Sequence, residues 1–151
     1  MICVNSAQAL IFKKQGEPEV QITSSYQASY YEDEDGNPKF NWFKTDIARN
    51  EGFAVLLNFH AKEALVRVTE YVEMASAAKW ETDIDQQCEV SNDLKKITCS
   101  KLIDNTGSYI SSWLLLPSDP VGPVKVVITI GDAEPIDFHF RIEEGINLFV
   151  D

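Results

Sequence analysis

Acid–base or nucleophilic chemistry through an imidazole has only two places to run in this chain, His60 and His139, because no other histidine is present. His60 closes the apolar run Phe53–Phe59, and His139 holds a polar position in an alternating apolar stretch, so both read as surface or rim residues. Ser108 follows Gly107 but lacks the second glycine of a nucleophile elbow and leads into a strand, which makes it a turn residue. Carboxylates are plentiful, and two acids flanking a sugar would make a glycosidase, yet no spacing in the sequence sets a pair at the required separation. The run Glu32-Asp33-Glu34-Asp35-Gly36-Asn37 reads as a hairpin tip with solvated charges. Calcium is the sharper alternative there, and beside Trp80 and Glu81 at Asp83 and Asp85, but the D-x-D-x-D-G spacing and closing Glu of an EF-hand are missing. The glycines at 16, 36, 52, 107, 122, 131 and 145 are scattered singly, so no phosphate-cradling loop forms. No catalytic residue, no metal site and no cofactor is assigned.

Cysteine chemistry is more specific. Cys88 and Cys99 bound the segment CEVSNDLKKITC. Pairing them in a hairpin sets Val90 opposite Ile97 and leaves Asp93-Leu94 as a two-residue turn. A cross-strand disulfide is the reading, with two free thiols as the alternative. Zinc is disfavoured because there is no C-x-x-C and neither histidine is near in sequence. A disulfide implies an oxidising compartment, periplasmic or secreted, and free thiols would imply the cytoplasm. Residues 1–9 add a hint, since Ala7-Gln8-Ala9 has the small-x-small form of a signal-peptidase site after Met1–Val4. They read as a signal-peptide remnant, leaving residues 10–151 as one domain. No stretch approaches the length of about 18 apolar residues needed for a membrane span.

These residues must be positioned by strands. Period-two alternation recurs along the chain and no stretch keeps a helical apolar period. The clearest unit is a hairpin near the C-terminus. Val124, Val126, Ile128 and Ile130 share one face, Gly131–Pro135 turns, and Ile136, Phe138, Phe140 and Ile142 share a face, with Asp137, His139, Arg141 and Glu143 opposite. Phe53–Phe59 reads as a central strand, and Val66, Val68, Val72 and Met74 as its neighbour. Val20, Ile22, Tyr26 and Tyr30 read as one face of a long strand. Ala75–Trp80 has the composition of a short helical turn, and 145–151 reads as a last edge strand or a segment that a partner covers. The expectation is an all-β chain, a single antiparallel β-sandwich of seven to eight strands.

Charge and aromatics then point to a partner. The chain of 151 residues carries 13 Lys and Arg against 24 Asp and Glu, a net charge of −11, which argues against nucleic acid and for a basic protein. Tyr26, Tyr30, Tyr31, Phe40, Trp42 and Phe43 form the richest aromatic cluster. Neighbours in a strand face opposite ways, so at least one member of each pair, Tyr30-Tyr31 and Trp42-Phe43, should be exposed unless both faces are covered. The predicted partner contacts are Tyr30, Tyr31, Glu32, Asp33, Glu34, Asp35 and Trp42, with the acids accelerating encounter and the aromatics holding the complex.

The pattern Ser112-Trp113, Pro117-Ser118-Asp119-Pro120-Val121-Gly122, Val124–Ile130 and Phe138–Ile142, with Thr45-Asp46-Ile47 and Gly52-Phe53 upstream, resembles small exported bacterial immunoglobulin-like domains. The resemblance implies the fold, immunoglobulin-like, and no activity. It departs from antibody-type domains because the paired cysteines are local. The expected function is non-enzymatic protein binding, as an inhibitor or immunity protein acting on a toxin or hydrolase in the bacterial envelope. The alternatives are a structural module of a surface assembly and a small carboxylate-based carbohydrate-active hydrolase.

Overall fold

The computed structural model describes residues 19–82 and 86–144. The signal-peptide reading of residues 1–9, the calcium reading at Asp83 and Asp85, and the edge-strand reading of 145–151 fall outside the described residues.

Among the described residues ten strands follow one another: β1 (Val20–Glu32), β2 (Pro38–Trp42), β3 (Asp46–Ala48), β4 (Gly52–Ala61), β5 (Leu65–Glu73), β6 (Gln87–Val90), β7 (Lys96–Asp104), β8 (Ser108–Leu114), β9 (Gly122–Ile130) and β10 (Ile136–Glu143). They form a four-stranded sheet, β2-β1-β4-β8, packed on a six-stranded sheet, β3-β10-β9-β5-β7-β6. The chain is all-β, as the alternation predicts, with ten strands in place of seven to eight. The surplus is in the short edge strands β2, β3 and β6, of five, three and four residues, too brief for a period to register. One pair breaks the expected antiparallel rule, since β3 runs parallel to β10 and places Ile47 beside Ile142.

The alternating residues meet at the core as expected. Phe53, Val55, Leu57 and Phe59 of β4 face Val66, Val68 and Val72 of β5, the β9 valines and isoleucines, and Phe138, Phe140 and Ile142 of β10. Phe53 and Phe140 touch across the layers at 5.1 Å between ring centroids. The C-terminal hairpin has Ile136 opposite Ile128 and Phe140 opposite Val124. A one-residue slip would bury three charges and His139, so the register is firm. β5 is not a sheet neighbour of β4. It crosses to the other sheet, between β7 and β9, because β4 already has β1 and β8 at its two edges.

Three local expectations are corrected. The Ala75–Trp80 segment is not helical: Ala78 N–H and the Trp80 indole both donate to Leu94 C=O (2.9 Å each), so the segment is tied to the β6–β7 turn and not to its own preceding turn. The β6–β7 pairing is Cys88 to Cys99 and Val90 to Ile97 as expected, and the two sulfurs are bonded. The turn is wider than two residues, however. Leu94 N–H bonds to Ser91 C=O (3.0 Å), Leu94 takes φ 59°, and Asp93 accepts from Lys95 N–H (3.0 Å). A two-residue turn of the favoured hairpin type needs positive φ at both central residues, and here Leu94 alone of the Asp93-Leu94 pair adopts it.

The third correction concerns β1. Its pairing with β4 shifts between Ile22 and Ser24. Val20 and Ile22 lie opposite Ala61 and Phe59 on the core side, but past the bulge Tyr26, Ala28 and Tyr30 lie opposite Leu56, Ala54 and Gly52 on the outer side. The four residues Val20, Ile22, Tyr26 and Tyr30 therefore do not share a face. The extra residue reverses the alternation and turns two tyrosines away from the core. Ahead of the bulge, the start of β1 is pinned by Asp132 of the β9–β10 turn, whose carboxylate accepts from Glu19 N–H (3.1 Å) and Val20 N–H (3.0 Å). The bond from Glu19 N–H chiefly holds the Asp132 carboxyl below its ordinary range.

Candidate functional site

The bulge in β1 builds an aromatic outer face on the four-stranded sheet. Tyr30 sits opposite Phe40, and Ala28 opposite Trp42, so their side chains share that face. Phe40 and Trp42 stack at 5.3 Å, Tyr30 packs on Phe40 at 5.4 Å, and Tyr26 meets Trp42 edge-on at 6.5 Å. Small residues, Ala28, Ala54 and Gly52, form the floor across β1 and β4 and let the rings lie over it. Beyond them Ile110 and Leu114 of β8 continue the same apolar surface.

Phe43 completes the face in a way that strand alternation does not allow. Trp42 ends β2, and Phe43 adopts φ 68°, the left-handed region in which an aromatic residue is an outlier. Its N–H bonds to Gln27 C=O (2.7 Å), and its ring turns to the side of Trp42, 6.1 Å from Tyr26. Trp42 is 39% exposed and Phe43 73%. At least one of the pair is exposed, as expected, and in fact both are, because the backbone is no longer extended at Phe43. The left-handed backbone holds a large apolar ring in water, and a surface that covered the ring would gain the free energy of burying it.

The acids at the hairpin tip divide by role. Asp33 builds the loop: its Oδ1 accepts from Asp35 N–H (3.0 Å) and Asn37 N–H (2.8 Å), and Gly36 supplies φ 80°. It is a structural residue first, and it also lies 3.8 Å from Lys39. Glu34 and Asp35 are exposed at the tip. Glu32 lies on the aromatic face and accepts from the Tyr30 hydroxyl (3.2 Å). Burial, and then that bond, raise the Tyr30 phenol above its ordinary range. Of the predicted contacts, Tyr30, Glu32 and Trp42 are together, but Tyr30 is buried, 9% exposed, and offers little surface to a partner. Tyr31 points to the opposite face of its strand, and Glu34 and Asp35 form the rim.

A second polar assembly lies inside the sandwich. Glu70 of β5 is 4% exposed and faces β8 of the other sheet. Tyr109, Ser111 and Trp113 alternate along β8, so all three point inward. Tyr109 donates its hydroxyl to Glu70 Oε2 (3.0 Å), Trp113 donates Nε1–H to Oε1 (2.8 Å), and the Ser111 hydroxyl lies within 2.8 Å of both oxygens. Sequence reasoning missed Glu70, although it occupies the inward register of Val66, Val68, Val72 and Met74, and a charge in that apolar row is the signal that could have marked it. Trp80 packs edge-on against Trp113 at 5.8 Å, and the two rings border an open cleft of about 370 Å³.

Burial, then the charge of Glu70, push the Tyr109 phenol well above its ordinary value of 10.0. The unfolded phenol ionises near pH 10 while the folded one stays protonated, so this contribution to stability is complete below about pH 10 and falls above it by up to about 1.4 kcal/mol per pH unit. Urea unfolding at a series of alkaline pH values should show that slope, and Tyr109→Phe should flatten it. An unchanged slope in the variant would refute the assignment.

His60 and His139 are exposed strand residues on opposite sheets. Among the described residues no group of three or more His, Cys, Asp or Glu side chains is placed to hold a metal ion. No helix among them is long and apolar enough to cross a membrane.

Two packed sheets define a β-sandwich domain. The chain belongs to the PM0630 beta sandwich domain family, whose model matches residues 28–143. That match begins within β1 and ends at the last residue of β10, and so spans both sheets. No curated protein matches the chain significantly.

Proposed function

We propose that this protein acts by binding another protein on the outer face of its four-stranded sheet, without catalysis of its own. The observation that carries the reading is Phe43, a ring held in water by a left-handed backbone beside Trp42, Phe40 and Tyr26. Soluble domains rarely leave so many large rings contiguous on one face unless something covers them. The net charge of −11 and the rim acids Glu34 and Asp35 favour a basic partner and would speed its arrival. The Cys88–Cys99 bond fits an extracytoplasmic site of action, periplasmic or secreted. An inhibitor or immunity protein that blocks a basic toxin or hydrolase in a bacterial envelope combines these properties.

Photo-crosslinking in the native host tests it, with the reactive group at Phe43 or, as control, at the exposed Leu102 on the other sheet. A single basic protein should be captured from Phe43 and not from Leu102. Trp42→Ala should then weaken the purified pair by at least about 30-fold, as for a central interface anchor. Adducts of the chain with itself, or a Trp42→Ala protein that binds normally, would overturn the reading.

A further inference from the structure

The two layers are of unequal width. β8 is the edge of the four-stranded sheet and lies over β5, whereas the larger sheet continues past β5 with β7 and β6. The Trp80–Trp113 cleft lies beside that edge, where a fifth strand of the smaller sheet would run.

The β8 edge is open in its backbone chemistry. Phe59 N–H bonds to Gly107 C=O (2.9 Å) and Leu115 N–H to Glu51 C=O (3.1 Å), which fixes the phase of the β4–β8 ladder. Odd-numbered residues of β8 bond to β4, so the N–H and C=O of Ile110, Ser112 and Leu114 point away from it. No hydrogen bond among the described residues engages those groups. Edges are ordinarily protected by brevity, charge or proline. The other edges follow this rule: β2 begins Pro38-Lys39, and β3 and β6 have three and four residues. β8 has seven residues, Ser-Tyr-Ile-Ser-Ser-Trp-Leu, with no charge and no proline.

The cleft specifies the side chain that would enter it. Glu70 and Asp119 are both more than nine-tenths buried at its lining, and among the described residues neither has a cation within 4 Å. Asp119 Oδ2 accepts from Leu116 N–H (2.7 Å), while its Oδ1 is buried with no hydrogen-bond partner. At the mouth Lys79 lies 3.8 Å from Glu81. Two buried carboxylates, one of them half satisfied, at the lining of a cleft bordered by two indole rings suit an ammonium or guanidinium group.

We propose that β8 accepts an extended segment of a partner protein as a fifth strand, with a lysine or arginine side chain entering the Trp80–Trp113 cleft. Backbone bonds to Ile110, Ser112 and Leu114 supply the register, and the basic side chain supplies the selectivity. The β8 edge borders the outer face that Ile110 and Leu114 continue, but the contacts proposed here are backbone groups and the cleft on the inner side, so the proposal stands whether or not the aromatic face binds a protein.

The probe is the acetylated, amidated peptide Thr-Val-Thr-Val-Lys-Val-Thr-Val-Thr, whose lysine falls on the inward side, followed by amide NMR of the whole chain. Binding should slow hydrogen exchange at Ile110, Ser112 and Leu114, and replacing the peptide lysine by glutamine should weaken it about tenfold. Ile110→Pro should abolish binding while leaving the fold intact, because that N–H takes no part in the β4 ladder. A peptide N-methylated on its bonding edge tests the same point without altering the protein, and it should not bind. No perturbation of β8 at millimolar peptide would overturn the proposal. So would equal binding by the N-methylated peptide, or amides at Ile110 and Ser112 already slow to exchange in the free protein.

Discussion

Glu70→Ala is expected to destabilise the fold by about 3 kcal/mol or more. Among the described residues the carboxylate accepts from the Trp113 indole N–H and the Tyr109 hydroxyl, and it also receives Ser111. Each donor left buried without a partner costs about 1–3 kcal/mol, and the indole cannot rotate to find another. Glu70→Gln should cost far less. Its amide oxygen can face Trp113, while its NH₂ faces the Tyr109 and Ser111 hydroxyls, which can turn to accept. The contrast between the two variants separates loss of hydrogen bonding from loss of charge, and urea unfolding reads it directly. An alanine variant within about 1 kcal/mol of the parent would show that water replaces the carboxylate, against its depth between the sheets.

The second large effect is expected from the disulfide. Cys88 and Cys99 are separated by 11 residues and lie directly opposite in the β6–β7 pair. Closing a loop of that length removes unfolded-state freedom worth about 3 kcal/mol in the chain-entropy account. Replacing both cysteines by serine should therefore lower stability by about that amount. The effect should concentrate on the β6–β7 edge, since β6 has only four residues and pairs with β7 alone. Hydrogen exchange at Thr98 and Ser100 before and after reduction would show it. Coincident unfolding curves for the oxidised and reduced protein would refute the estimate.

Much of this architecture was written in local patterns. The C-terminal hairpin follows from alternation, because a strand with one buried face can be shifted only by exposing its apolar side, the central strand from the apolar run Phe53–Phe59, and the register of Cys88 against Cys99 from the symmetric pairing about their turn. The acidic tip was legible for a similar reason, since Asp33, Gly36 and Asn37 are turn residues by their own backbone and side-chain chemistry. The aromatic cluster was legible as a set of residues but not as a surface. Which rings share a face depends on the bulge between Ile22 and Ser24 and on the left-handed backbone at Phe43, and both arise from how β1 pairs with its neighbours.

What the sequence alone determined is the period of the chain, hence its all-β class, its core-facing residues and its excess of acid. What only the tertiary structure decided is which strands share a sheet, and therefore which side chains converge. Glu70 meets Tyr109, Ser111 and Trp113 only because β5 and β8 lie in opposite layers, and the open β8 edge exists only because one layer is four strands wide and the other six. The physical reason is range. Alternation is set by the geometry of successive residues, whereas layer membership and edges are set by pairings between distant segments, which compete on total burial and not on any local signal.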